Sequence, residues 1–267
     1  MYTRLNMPDG KLRLPVVFFG HGNPMNALLE TPYSAAWRKI GTSVPKPQAI
    51  LMVSAHWTTR GTAVTAMEAP RTIHDFGGFP PALFEVQYPA PGSPALAARV
   101  RELLAPVEVG LDDSWGLDHG TWSVLVHAFP KADVPVVQLS IDATQPAEFH
   151  YALGKRLAAL RDEGVLIVGS GNVVHNLGMV NWAPAAAPFD WAVRFNDRVR
   201  DLLTQHDHAP LIAYPGMGQD ARLSVPTPEH YLPLLYIIAM HEQGEPIDFA
   251  VDGIELGSAG MLSLVIG

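Results

Sequence analysis

Four short apolar runs punctuate the chain, at residues 15–19 (PVVFF), 49–53 (AILMV), 135–139 (PVVQL) and 165–168 (VLIV). They are short, largely β-branched and non-alternating, which suits strands covered on both faces, as in a parallel sheet. Helical patterns lie between and after them. Ser93-Pro94 pairs an N-cap residue with proline at the first helical position, and Leu96, Val100, Leu103 and Leu104 form the apolar stripe that follows. Residues 144–161 carry Phe149, Leu153, Leu157 and Leu160 on one side, with Gly164 shortly beyond as a stop. Residues 189–203 give a third helix. Thr227-Pro228-Glu229-His230 repeats the cap-then-proline signature and is expected to open a fourth, strongly apolar helix through Met240. Strands alternating with helices predict an α/β fold with a mostly parallel central sheet flanked by helices. The chain has 267 residues, no internal repeat and no low-complexity linker, so one domain over residues 1–267 is expected.

Composition narrows the function. Lys and Arg number 18 against 26 Asp and Glu, a formal net charge of -8, and there is no basic run to neutralise phosphates, so nucleic acid is not an expected partner. The longest apolar run, residues 233–240, is far short of a membrane span, and the first ten residues lack the apolar core of a secretory signal. A soluble, cytoplasmic protein is expected. With no cysteine, disulfide scaffolds, thiolate nucleophiles and cysteine-based zinc sites are excluded, and the 11 histidines become the place to look for metal chemistry. Proline, at 24 residues, stands at nearly twice its usual share of about 5%, which points to stiff ordered loops. Residues 71–91 form a long irregular stretch, too aromatic to be disordered, and Phe76 and Phe79 beside Gly77-Gly78 are candidate lid residues.

The positions of the histidines are more informative than their number. His21 follows the first strand and His56 the second, while His175 comes seven residues after the run ending at Val168. In a parallel sheet the carboxyl ends of the strands share one edge, so a metal site can assemble there from distant parts of the chain. His230, at the third position of the expected fourth helix, can point back toward that edge, and His119 sits in a Gly-flanked loop before another helical stretch. His74, His127, His150, His206, His208 and His241 are assigned structural roles, with His206 and His208 placed on the surface. Imidazoles from separate strand ends, with positions left open, describe a catalytic metal site. No HExxH, GxSxG or Walker A motif occurs; Gly169-Ser170-Gly171 with Asp190 is a weak dinucleotide-loop signal, because Val174 stands where a third Gly or Ala belongs. Trp57, Trp115, Trp122 and Tyr231 are candidate walls for an aromatic ligand, with core packing the simpler role for each.

Six ordered motifs carry a resemblance: Gly20-His21-Gly22-Asn23-Pro24, Ser54-Ala55-His56-Trp57, Ile73-His74-Asp75-Phe76 with Gly78-Phe79-Pro80, Leu117-Asp118-His119-Gly120-Thr121-Trp122, Gly169-Ser170-Gly171 with His175-Asn176-Leu177, and Pro228-Glu229-His230-Tyr231. Over residues 14–240 the chain resembles the DOPA-dioxygenase-type extradiol ring-cleaving enzymes, in the class III, protocatechuate 4,5-dioxygenase catalytic-subunit-like superfamily. The tail, Ile254-Glu255-Leu256-Gly257-Ser258, matches more loosely. The resemblance implies a metal held by His21, His56 and His230, with His175 either a fourth ligand or the active-site base and His119 the acid/base facing substrate and oxygen. The wider superfamily has a glutamate as third ligand; here the matching position is His230, with Glu229 beside it as a fallback. The implied cofactor is non-haem Fe(II) for activity, or Zn(II) as the bound divalent ion. The implied reaction inserts O2 beside the vicinal diol of a catechol such as DOPA, at the 4,5 bond, in a monomer or small homo-oligomer. Two alternatives use the same residues: a zinc-dependent hydrolase with metal-bound hydroxide as nucleophile, and a non-catalytic relative that binds a metal or a partner.

Overall fold

Residues 13–183 and 186–267 are described by a computed structural model; the reading of residues 1–10 lies outside them. The four apolar runs become β1 (Val16–Gly20), β2 (Ala49–Thr59), β5 (Val136–Asp142) and β6 (Val165–Gly171). Each sends alternate side chains to opposite faces. Val16 and Phe18 of β1 enter one apolar core, whereas Val17 and Phe19 enter the other, and β2 and β6 divide in the same way. That two-sided burial is why the runs do not alternate with polar residues. Six further strands escaped the sequence reading: β3 (Thr62–Thr65), β4 (Val109–Asp112), β7 (Ile247–Val251), β8 (Ile254–Glu255), β9 (Ala259–Gly260) and β10 (Ser263–Ile266).

Eight strands form one sheet in the order β4-β3-β5-β2-β6-β1-β10-β7. The central four, β5, β2, β6 and β1, are mutually parallel, while β10 and β7 extend one edge in antiparallel pairing and β3 meets β5 antiparallel at the other. The helices are α1 (Pro32–Ser43), α2 (Pro81–Phe84), α3 (Pro94–Leu104), α4 (His119–Ala128), α5 (Ala147–Leu157), α6 (Asp190–Thr204), α7 (Ala209–Ile212), α8 (Gln219–Ser224) and α9 (Leu232–Ile238). Residues of α1 and α4 pack in the core on one face of the sheet, and those of α3, α5, α6 and α9 in the core on the other. Among the described residues no helix is long and apolar enough to cross a membrane.

The expected caps hold at α3, where Ser93 accepts from the Leu96 amide with Pro94 at the first position, and at Gly164, which takes the left-handed conformation at φ 77°. The fourth expected helix is shorter than its signature. The Thr227 hydroxyl donates to the Glu229 carboxylate at 2.7 Å instead of accepting a main-chain amide, so residues 227–231 form a bend and turn, and α9 begins only at Leu232. His230 therefore lies in a turn ahead of the helix. His119, expected in a loop, is the first residue of α4, capped by Asp118. The Gly169-Ser170-Gly171 segment is part of β6 and not a phosphate-binding turn. A Cβ on Gly171 would lie 2.2 Å from the His230 carbonyl oxygen, so glycine here lets the His230 turn approach the strand.

Candidate active site

Each candidate histidine reaches the carboxyl edge of the parallel strands by a different local device. His21 continues β1, its amide donating to the Gly171 carbonyl at 3.1 Å. His56 sits where the pairing of β2 with β5 shifts register between Val53 and Thr58, an irregularity that re-aims side chains. His119 opens α4, whose N-cap Asp118 is fully buried and accepts from Ser54 Oγ of β2 and Gln138 Nε2 of β5, both at 2.7 Å. A single carboxylate thus ties α4 to two strands. Burial, then Asp75 nearby, raises the Asp118 pKa. Gly120 allows the close approach: a Cβ there would lie 2.8 Å from His56 Cδ2.

His21, His56 and His230 each offer a ligand atom within 4.8 Å of the others. Their far nitrogens are tied. His21 Nδ1 is 3.0 Å from Ser170 Oγ, whose own proton goes to the Gly120 carbonyl at 2.6 Å, so His21 is the donor and its Nε2 carries the lone pair. His56 Nδ1 faces Asp75 Oδ2 at 3.4 Å, and His230 Nδ1 faces Glu229 Oε1 at 3.2 Å. Carboxylates and hydroxyls behind imidazoles fix the tautomer in this way at metal centres. The Nε2 atoms of His21 and His56 thus face each other at 3.1 Å in a largely buried setting. Either a proton on His56 Nε2 or a cation between the two rings satisfies this contact, and the donor set fits a divalent transition metal.

Burial, reinforced by the neighbouring histidines, holds His21 and His56 well below the usual imidazole pKa; His230 is lowered chiefly by burial. Neutral imidazoles are the ligand form. Burial alone would raise Glu229, but hydrogen bonds from His230 and Thr227 bring it down to about 2.

His175 stands apart from this set. Its ring stacks on His230 at 3.5 Å and 10°, and its ligand atom groups with Glu229 and His230 instead of His21 and His56. Burial, followed by the charge of His230, lowers it to about 3. His119 is buried with its ring 3.8 Å from that of His56, and its amide donates to Asp75 Oδ1 at 2.9 Å. Its Nδ1 lies 3.0 Å from the same oxygen but off the line of a hydrogen bond. Of the lid candidates, Phe76 borders the site, meeting His119 edge-on at 5.4 Å, and Phe79 packs on Phe76 at 5.3 Å. Trp122 donates to the Ile73 carbonyl and Tyr231 to the Leu211 carbonyl; both are fully buried core residues. Trp57 and Trp115 stack on each other at 5.8 Å. The tail hairpin of β8 and β9 supports the His175 segment, Ser258 Oγ donating to the Asn176 carbonyl at 2.8 Å.

Comparison with known proteins settles the family. Residues 25–250 match the family described as the catalytic LigB subunit of aromatic ring-opening dioxygenase. The chain belongs to that family. It is 55% identical over 259 residues, 96% of this chain and 95% of the relative, to the 4,5-DOPA dioxygenase extradiol of Escherichia coli K12. A second relative, the 4,5-DOPA dioxygenase extradiol of Beta vulgaris, is 40% identical and covers 85% of this chain and 86% of its own. A crystal structure of an uncharacterized Escherichia coli K12 protein superposes with a TM-score of 0.85 at 50% identity, covering 96% of this chain and all of that one. The chain is thus a ring-opening dioxygenase, an enzyme of a family that uses a non-haem metal, as its motifs led us to expect.

Of the residues framing the site, Asp75, Asp118, Ser54 and Ser170 lie inside the motifs that carried the resemblance, yet nothing in sequence assigned them a task. The one local signal was Asp118, three residues before Thr121, whose amide it caps at 3.1 Å. His74, His127 and His150 have the structural roles expected, bonded to the Val86 carbonyl, the Asn26 carbonyl and the Tyr236 hydroxyl. The surface placement of His206 and His208 is corrected: His208 is buried and both rings pack with His241.

Proposed function

We propose that the whole chain acts as one catalytic domain that opens the ring of a catechol of the DOPA type by 4,5-extradiol cleavage. The metal would be held by His21, His56 and His230, with ferrous ion the working species and zinc an ion the all-imidazole set also accepts. The observation that carries this reading is the convergence of ligand nitrogens from His21, His56 and His230 beside the buried His119. The substrate class rests on the two DOPA dioxygenase relatives, at 55% and 40% identity. They favour ring opening over the hydrolase and non-catalytic readings of the same histidines.

Bound there, a ferrous ion would supply Lewis acidity toward the diol and the redox link between ring and dioxygen. The chain supplies the rest. Asp75 spans His56 and His119 with its two oxygens, so one carboxylate sets the orientation of a ligand and of the acid/base together. His119 is the group that gives a proton to the departing oxygen, with Asp75 holding its main-chain amide. His175, stacked flat on His230, is poorly aimed at the point where the three Nε2 atoms meet; this favours a base for the second hydroxyl proton over a fourth ligand. Phe76 and Phe79 exclude water from the His119 side.

The test is anaerobic loading with Fe(II), followed by oxygen uptake and visible absorbance with DOPA and a panel of simple catechols and catechol carboxylates. The expected result is one O2 per substrate with a yellow ring-opened product, absent in zinc-loaded protein and in His119→Ala. No uptake with any catechol at full iron occupancy would overturn the reading.

A further inference from the structure

A second group of histidines lies at the far end of α9 from His230. His206 and His208 follow α6, His241 follows α9, and each offers a ligand atom within 4.8 Å of the other two. Counting along the chain from His230 to His241, a helical rise of about 1.5 Å per residue separates the groups by roughly 15 Å, so this is not an extension of the active site.

The hydrogen bonds around the three rings leave one nitrogen of each free. His206 Nε2 is 3.0 Å from the His241 carbonyl oxygen, and His241 Nε2 is 3.1 Å from the Glu245 carbonyl oxygen. A carbonyl only accepts, so both Nε2 atoms carry the proton and both Nδ1 atoms carry lone pairs. His208 Nδ1 is 3.0 Å from the Tyr151 hydroxyl, leaving Nε2 as its remaining nitrogen. His208 Nε2 and His241 Nδ1 are both buried without any partner, on residues only 7% and 8% exposed. Unsatisfied buried nitrogens are costly, and two in one cluster call for an explanation.

His206 is also placed at a conformational cost. It adopts φ 56°, the left-handed conformation, just past the end of α6, where glycine or asparagine is usual. That conformation directs the chain back so that His206 and His208 stack at 4.6 Å. Of the nearby cations, Arg161 is neutralised by Glu245 at 2.6 Å and Lys155 lies over the Tyr151 ring.

We propose that His206 Nδ1, His208 Nε2 and His241 Nδ1 form a second metal site, for a divalent transition ion such as zinc, which ties the end of α6 to the end of α9. The half-exposed His206 leaves the fourth position open to water. Imidazole nitrogens with their opposite N–H held by carbonyls are what such an ion selects. Ligand nitrogens of a tetrahedral zinc site, at Zn–N of about 2.0–2.1 Å, lie roughly 3.4 Å apart, a contraction that side-chain torsions can supply.

The test uses the full chain with His21→Ala and His56→Ala, which removes two of the three active-site ligands, titrated with Co(II) and Zn(II). One equivalent should bind, with the visible absorption of a low-coordinate cobalt site and a raised Tm. Adding His206→Asn, which suits the left-handed backbone but removes the imidazole, should abolish both; Tyr151→Phe should weaken binding about 10–100-fold. If the His21→Ala, His56→Ala chain does not fold, the wild-type chain should lose one of two equivalents on His206→Asn, with ring-opening activity retained. Absence of binding in the folded double variant, or binding unchanged by His206→Asn, would overturn the proposal.

Discussion

The two histidine clusters share a plan and differ in what stands behind the rings. In the active-site group the far nitrogens meet side chains: the Ser170 hydroxyl, the Asp75 carboxylate and the Glu229 carboxylate. In the second group two of the three meet main-chain carbonyls and the third a tyrosine. Carboxylates add negative charge that strengthens the ligands and stabilises a proton on a neighbour, whereas carbonyls only fix tautomer and direction. The first group is also flanked by two further imidazoles, His119 and His175, with aromatic residues at its rim. The second has no further imidazole among the described residues, and its aromatic neighbour, Tyr151, is already the partner of His208. On the proposed roles, similar donor atoms therefore separate into a centre equipped for proton transfer and one equipped only to hold an ion.

The comparison breaks most sharply at His56. Its replacement by Ala removes one of two Nε2 atoms that face each other at 3.1 Å. Ring opening should fall below detection and the active-site ion should be lost, while the second cluster keeps its own. Elemental analysis of the dialysed variant checks this; unchanged metal content at the active site would show that His56 is not a ligand. His119→Gln is expected to lower kcat about 10²–10⁴-fold, the usual range for a general acid or base, with iron content unchanged. Loss of iron along with activity would move His119 from proton transfer to the ligand set.

Beneath the second cluster lies a buried ion pair, Arg161 with Glu245, only 1% and 7% exposed at their side chains. Arg161 also donates to the Leu14 and Met240 carbonyls, so Glu245→Gln leaves a buried cation without its counter-charge at a cost of about 3 kcal/mol, the lower end of the range for breaking such a pair. Urea denaturation at pH 7 measures it. Burial acts to raise Glu245, but the Arg161 hydrogen bonds outweigh it and hold its pKa below the usual 4.5. The stabilisation is therefore present above the unfolded carboxylate value and lost as pH falls toward the folded one. The gap between wild type and Glu245→Gln should narrow as pH falls below the usual 4.5.

How much of this was legible in sequence depends on whether the signal is local. The four central strands were readable because two-sided burial forces unbroken apolar runs, and α3 because Ser93-Pro94 is a self-contained cap. Strands β10 and β7 were not, since β10 pairs with β1, more than two hundred residues away, and β7 in turn pairs with β10. His21 was found because it directly follows β1, and His56 because it follows the apolar run 49–53, although β2 continues past it to Thr59. His206 and His208 were misplaced because their neighbours are polar, and the cluster depends on a left-handed turn at His206 and on His241 beyond α9. The start of α9 failed for a chemical reason: Thr227 has a cap's hydroxyl, but Glu229 accepts it.

The smallest expected effect sharpens the comparison furthest. Glu229→Gln keeps an oxygen that can accept from His230 Nδ1 and from Thr227, so the tautomer and the turn survive while the charge goes. If the carboxylate matters only for direction, the active site then resembles the second cluster and metal affinity is unchanged. If charge is what distinguishes the two groups, affinity at the active site falls about 10–100-fold and the second cluster is unaffected. Because Glu229 is held down to about 2, it is ionised throughout the neutral range, and the difference between wild type and variant should not vary between pH 6 and 8. Competition with a chelator across that range reads both quantities, and an affinity equal to wild type would place the distinction in the surrounding histidines instead of the anchors.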